Sequence, residues 1–266
     1  MVLKRRVALN GVWLDEIDQR IVISAVEPGD GRENISATDT ATGFGQRVTS
    51  NRRTSVDFVV RFMMLEHGRS VEGLTERSAL LEKVNMWAAA GGVLTVNYKP
   101  NRRLNVILAQ APGEGSLWDY TKEFQMTFRA YTVPYWEDEA ESASTFGGGS
   151  TTDNASITVG GSAPTQFNVE LANRSGKTIN TANVTVNGNK MSFSSLGMAG
   201  GETLVIDHRA DSILRIRIRD TGGSYRNAMS KRSGANDMVA KPGAVSCSYS
   251  ADRACEMKVS WRSRYV

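Results

Sequence analysis

Apolar and polar residues alternate over short stretches through most of this chain, and only one stretch carries a helical period. In SVDFVVRF (55–62) the two-residue period puts Val56, Phe58, Val60 and Phe62 on one face of a strand. The run 118–133 repeats the pattern, with Phe124, Met126, Phe128 and Ala130 on one side. Residues 7–14 predict two strands around an Asn10-Gly11 turn, and 21–26, 92–98 and 101–111 predict further strands. Leu80, Leu81, Val84, Trp87 and Ala88 instead fall at i, i+1, i+4, i+7 and i+8, the apolar stripe of a helix lying on a sheet. Thr75 stands where its N-cap is expected, and Gly91-Gly92 supplies the stop.

Two stretches lack any apolar period. Residues 27–51 are polar and glycine-bearing, which predicts a long loop or extended arm. Residues 137–156, EDEAESASTFGGGSTTDNAS, are acidic and then rich in Ser, Thr and Gly, with Phe146 the only large apolar side chain. Such a composition buries too little surface to order itself, which predicts a linker at 142–153 between domains 1–141 and 154–266. The second half then alternates in short segments at 156–159, 166–172, 183–186, 190–193, 203–207, 213–219, 245–249 and 255–261, with Asn187-Gly188 as a strong hairpin turn. The expected fold class is mainly β: an N-terminal β-rich domain with one helix packed on a sheet, followed by a C-terminal antiparallel β-sandwich.

Composition narrows the function classes. The 266 residues are 40% hydrophobic and 23% charged, an ordinary globular balance, and no apolar run is long enough to span a bilayer. Nothing at the start resembles a signal peptide, so synthesis in a reducing cytoplasm is expected, without membrane insertion. The net charge of +4 is uneven: 17 basic against 19 acidic residues through Glu141, and 15 against 9 after it. Cys247 and Cys255 flank what reads as a hairpin tip and are expected to be structural thiols. The two histidines, His67 and His208, read as surface residues; Asp207 adjoins His208, but neighbours on a strand point to opposite faces and do not pair. No Gly-x-Ser-x-Gly elbow, metal-ligand spacing or phosphate-binding frame occurs, and the glycines at 43–45 and 147–149 read as a turn and a linker. No catalytic residue, cofactor or metal is expected.

Two basic groups are candidate partner surfaces. Arg215, Arg217 and Arg219 alternate with Leu214, Ile216 and Ile218, so the three arginines line the outer face of one strand. No aromatic platform interleaves with them, which argues against single-stranded nucleic acid. Arg47, Arg52 and Arg53 lie on the polar arm as candidate subunit-interface residues.

Read in order, the early Asn-Gly turn, the arm PGDGRENISATDTATGFGQRVTSNRR, the strand with Val56-Asp57-Phe58, the helix LLEKVNMWAAAGG, the strand ending at Tyr98-Lys99-Pro100 and the closing FQMTFRAYTVPYWED resemble the ring-forming N-terminal domain of siphophage distal tail proteins. The second half, including SFSSLGMAGGETLVIDHR, resembles the galectin-like sandwich that follows it. The resemblance implies a non-enzymatic structural protein of the virion tail tip, a homohexameric ring joining the tail tube to the hub or baseplate and supporting adsorption parts. Tail tube protein, hub protein and tape-measure protein would be its neighbours, with DNA only in transit through the lumen. The alternative is an adsorption protein whose sandwich binds host-wall carbohydrate. A galectin-like fold does not itself imply sugar binding; His208-Arg209 lacks the galectin-type cluster, and Trp261 is the only Trp in that half.

Overall fold

A computed structural model describes residues 5–39, 46–65, 71–113, 123–208 and 214–266, and it separates into two compact units, Met1–Trp136 and Glu137–Val266. In chain order the first unit contains β1 (Val7–Leu9), β2 (Val12–Trp13), a four-residue helix α1 (Leu14–Ile17), β3 (Ile21–Asp39), β4 (Gln46–Met64), α2 (Val71–Ala89), β5 (Gly92–Val96), β6 (Arg102–Gln110) and β7 (Glu123–Ala130); β8 (Trp136–Asp138) straddles the boundary. Seven strands form an antiparallel sheet in the order β2-β1-β5-β6-β7-β4-β3.

Cross-strand pairing explains the core. Phe58 faces Phe128, Val60 faces Met126 and Phe62 faces Phe124, all essentially inaccessible to solvent, as their alternation predicted. Helix α2 lays Leu80, Leu81, Val84 and Ala88 inward. Trp87 meets Phe128 edge-on, with centroids 6.0 Å apart, and donates its indole N–H to the Val12 carbonyl at 3.1 Å. The helix begins earlier than expected. Thr75 lies inside it, and its hydroxyl donates to the Val71 carbonyl at 2.9 Å rather than capping a terminus.

The second unit contains β9 (Ser142–Val159), β10 (Thr165–Asn173), β11 (Ala182–Val186), β12 (Asn189–Phe193), β13 (Thr203–His208), β14 (Leu214–Arg219), β15 (Tyr225–Asn227), a 3-10 turn at Met229–Lys231, β16 (Arg232–Gly234), β17 (Val239–Ala240), β18 (Gly243–Trp261) and β19 (Arg264–Tyr265). The expected turn between β11 and β12 is present, with φ of 49° at Asn187 and 80° at Gly188. The segments 245–249 and 255–261 are not the two arms of a hairpin: both belong to β18. Its first half pairs with β11 and its second with β10, so this one strand passes from one layer of the sandwich to the other. Phe167, Val169, Leu171, Val184, Val186, Met257 and Val259 fill the core between the layers.

The expected linker at 142–153 is instead the greater part of β9. That strand pairs with β18 along its whole length, Ser142 opposite Trp261 and Val159 opposite Gly243. Composition misled because a backbone ladder holds this segment and its side chains are mostly exposed. Glu137, at the start of the acidic stretch, is buried and accepts from the Arg264 Nε at 3.1 Å. Where β18 changes layer, the register slips between Ser250 and Cys255 on one strand and across the glycines at 147–149 on the other. Gly147 has φ of 89°, and a Cβ there would overlap the Tyr249 hydroxyl. That hydroxyl donates to the Cys255 carbonyl at 2.7 Å, tying the bend together.

Candidate assembly surfaces

The polar stretch expected to be a loop or arm is a hairpin. Strands β3 and β4 pair from Ile21 opposite Met64 to Asp39 opposite Gln46. Strand β7 flanks β4 only from Val56 to Met63, so among the described residues the outer parts of β3 and β4 pair only with each other. Nine or so residues per strand extend about 30 Å beyond the sheet. Neither outer edge is covered among the described residues, and β3 is the edge strand along its full length. Such edges are templates for pairing with another chain.

The root of this arm is held by charge. Asp57 accepts from both Nε and Nη2 of Arg129, the latter at 2.8 Å, and from Arg32 at 3.3 Å. Hydrogen bonding from Arg129 keeps its carboxyl below the usual carboxylate range. Arg53 lies against Gly31, where a Cβ would collide with the guanidinium, and its Cζ stands 5.5 Å from the centroid of the Tyr135 ring. Arg47 and Arg52 fall on the outer part of β4, opposite Thr38 and Asn34 in the register. The three arginines expected on the arm thus share one strand.

In the second unit, β14 alternates as its sequence requires, with Ile216 and Ile218 buried and the arginines outside. The stripe is not a row of bare cations. Arg217 donates to Asp207 at 2.6 Å and stacks 4.3 Å from the centroid of Tyr225, while Arg219 reaches Glu170 at 3.3 Å. Arg219 also lines a groove of about 280 Å³ on this sheet face with Glu170, Arg174, Glu256 and Lys258. Sequence reasoning missed the groove residues other than Arg219. The outward positions of β10 and β18 were readable from alternation, but the register joining strands some 85 residues apart was not (Glu170 opposite Lys258).

No group of three or more His, Cys, Asp or Glu side chains is arranged to hold a metal among the described residues, and no helix there is long and apolar enough to cross a membrane. His67 and Arg209 lie outside the described residues, as do the glycines at 43 and 45. His208 is not a surface residue: its side chain is only 4% exposed, with Nε2 3.0 Å from Asp237 Oδ1. Asp207 turns the other way to Arg217, as strand geometry required. Cys247 and Cys255 are free and fully buried. Burial pushes their thiols up to about 11 and about 12, so neither presents a thiolate near neutral pH.

No family model matches this chain, and no curated protein matches it. Solved structures do. Two structures of the phage P2 baseplate in its activated conformation, with Ca and with Sr, align over 98% and 99% of the chain at 12% and 10% identity, with TM-scores of 0.44 and 0.42. The crystal structure of SPP1 Dit (gp 19.1), described as a paradigm of the hub adsorption apparatus in phages infecting Gram-positive bacteria, aligns with a TM-score of 0.68 at 11% identity, covering 98% of this chain and 99% of that one. Across essentially its whole length, the chain has the fold of SPP1 Dit.

Proposed function

We propose that the protein is a non-enzymatic structural subunit of a phage tail tip, assembling as a homohexameric ring between the tail tube and the hub or baseplate. The observation that carries this reading is the arm formed by the outer halves of β3 and β4, set on a fold shared with SPP1 Dit. A two-stranded ribbon projecting from its sheet is marginal alone and gains stability when its edges meet another chain. In a closed ring each subunit gives the same arm to the next, which satisfies every edge at once. Arg47, Arg52 and Arg53 lie on that arm and are assigned to the subunit contact. The tail tube, hub and tape-measure proteins are the neighbours such a ring meets, and DNA only passes through it. Its place in the virion is the tail tip.

Replacing residues 32–54 with a short turn tests the reading. Light scattering on a sizing column is expected to give six times 29.0 kDa for the intact protein and a folded monomer, lighter than 29.0 kDa by the residues removed, for the variant. A variant that keeps the intact protein's oligomeric mass would refute the arm's role.

A further inference from the structure

The turn between β5 and β6, which carries Tyr98-Lys99-Pro100, holds a lysine that the proposed function leaves unexplained. Its backbone is fixed from both sides. The Asn97 N–H donates to the Arg6 carbonyl at 3.2 Å, and Asn97 Oδ1 accepts from the Arg6 N–H at 2.9 Å. The Lys99 N–H reaches the Val96 carbonyl at 3.2 Å, and the Arg102 N–H reaches the Lys99 carbonyl at 3.3 Å. Pro100 restricts its own φ, and Asn101 turns the chain with a φ of 60°. From this turn Lys99 Nζ lies 4.8 Å from the centroid of the Trp136 indole. Trp136 is fixed in its turn: it is buried and meets Phe58 edge-on, with centroids 5.8 Å apart.

The surroundings decide what this amine can do. Among the described residues no carboxylate reaches Lys99, and its ammonium rests on the indole face instead. A π face holds an ammonium more weakly than a hydrogen-bonded carboxylate does. Burial pushes Lys99 below the usual lysine range, and the Arg102 guanidinium pushes the same way. Other lysines are placed differently. The Lys231 ammonium donates to the Ser195 and Leu196 carbonyls, Lys258 lines the groove with Glu170 and Glu256, and Lys177 and Lys190 are exposed to water. A partly desolvated amine beside a second cation is the arrangement that makes lysine a nucleophile near neutral pH. Lys99 is half-buried, so a small electrophile still reaches it.

We propose that Lys99 is a site of covalent modification, an amine seated on Trp136 that takes an acyl group from a small acyl phosphate. The Nζ lone pair bonds to the acyl carbon. The bond from that carbon to the phosphate oxygen breaks, inorganic phosphate leaves with the electron pair, and the proton displaced from nitrogen passes to water. Arg102 draws the donor's negative charge toward the amine, and Arg5, near Tyr98 of the same turn, adds to the positive field. The amide product is uncharged, so the contact with Trp136 loses its cation. The site lies within one subunit and stands whether or not a ring forms.

The test uses the intact folded protein, acetyl phosphate as the donor, and mass spectrometry of the digested product to follow each lysine separately. At neutral pH Lys99 should be acetylated roughly three- to tenfold faster than the exposed Lys177 and Lys190. As pH is raised, its rate should level off before theirs. Arg102→Gln, which removes the neighbouring cation, should shrink the advantage while the protein stays folded, and unfolding in urea should abolish it. Three results would overturn the proposal: a Lys99 that reacts no faster than Lys177 and Lys190 in the folded protein, an advantage that survives in urea, or one that Arg102→Gln leaves untouched.

Discussion

Strand β10 and the first half of β9 lie on opposite sides of the same seven residues of β18, yet they are held there by different forces. Along β10 every second residue is buried, and Phe167, Val169 and Leu171 enter the core. Along residues 142–150 of β9 nothing is fully buried, and Phe146, 6.1 Å from the Tyr249 ring centroid, is the sole large apolar anchor. One strand is specified by side-chain burial and the other by backbone pairing to an edge already formed. A polar edge strand also protects the sandwich, because an apolar one would invite further chains to pair. The outer arm of β3 and β4 is built in the same ladder-held way, but there no third strand lies alongside among the described residues.

Substitutions can sharpen this contrast, starting from the burial-held strand. Phe167→Ala removes a fully buried ring packed 5.8 Å from Trp261 and should cost about 3–5 kcal/mol in urea denaturation. A cost near zero would mean that β10 is not specified by burial. Gly147→Ala should come next, at about 1–3 kcal/mol, because a φ of 89° strains any Cβ and the Tyr249 hydroxyl occupies the space.

Acid should act through the ion-paired carboxylates of both units. Asp57 and Glu202 have folded pKa values lowered from 3.8 and 4.5, chiefly by hydrogen bonds from Arg129 and Arg226 respectively. A depressed folded pKa gives stability that is complete above the unfolded value and is lost as pH falls through the folded one. The melting temperature should therefore be level near neutrality and fall progressively below about pH 4.5. Asp57→Asn should lower it modestly at pH 7 and make its fall in acid shallower. An equally steep fall in that variant would remove Asp57 from the account. The smallest effect belongs to the ladder-held strand: Ser142→Ala, on an exposed side chain, should stay within about 0.5 kcal/mol.

The same contrast explains what the sequence made legible. Val56, Phe58, Val60 and Phe62, the helix stripe at Leu80 and Val84, and the Ile216/Ile218 alternation could be read because burial leaves a period in the chain. Residues 27–51 and 142–153 could not be read as strands, because a ladder to a distant partner leaves no period. β18 reads as two strands because the residues at its bend, 251–254, interrupt its alternation, and β9 pairs with it on either side of that bend. Of the candidate surfaces, the arginines on β14 were visible, but their partners were not. Asp207, Glu170 and Tyr225 are brought to them only by register across neighbouring strands.

The central claim, a ring closed through the arms of neighbouring subunits, is tested most directly by electron microscopy of the purified protein with classification of single particles. Closed rings with sixfold symmetry are the result the account predicts, lost when residues 32–54 are replaced. Uniform particles of a single 29.0 kDa chain at concentrations where the protein is folded and soluble would contradict it.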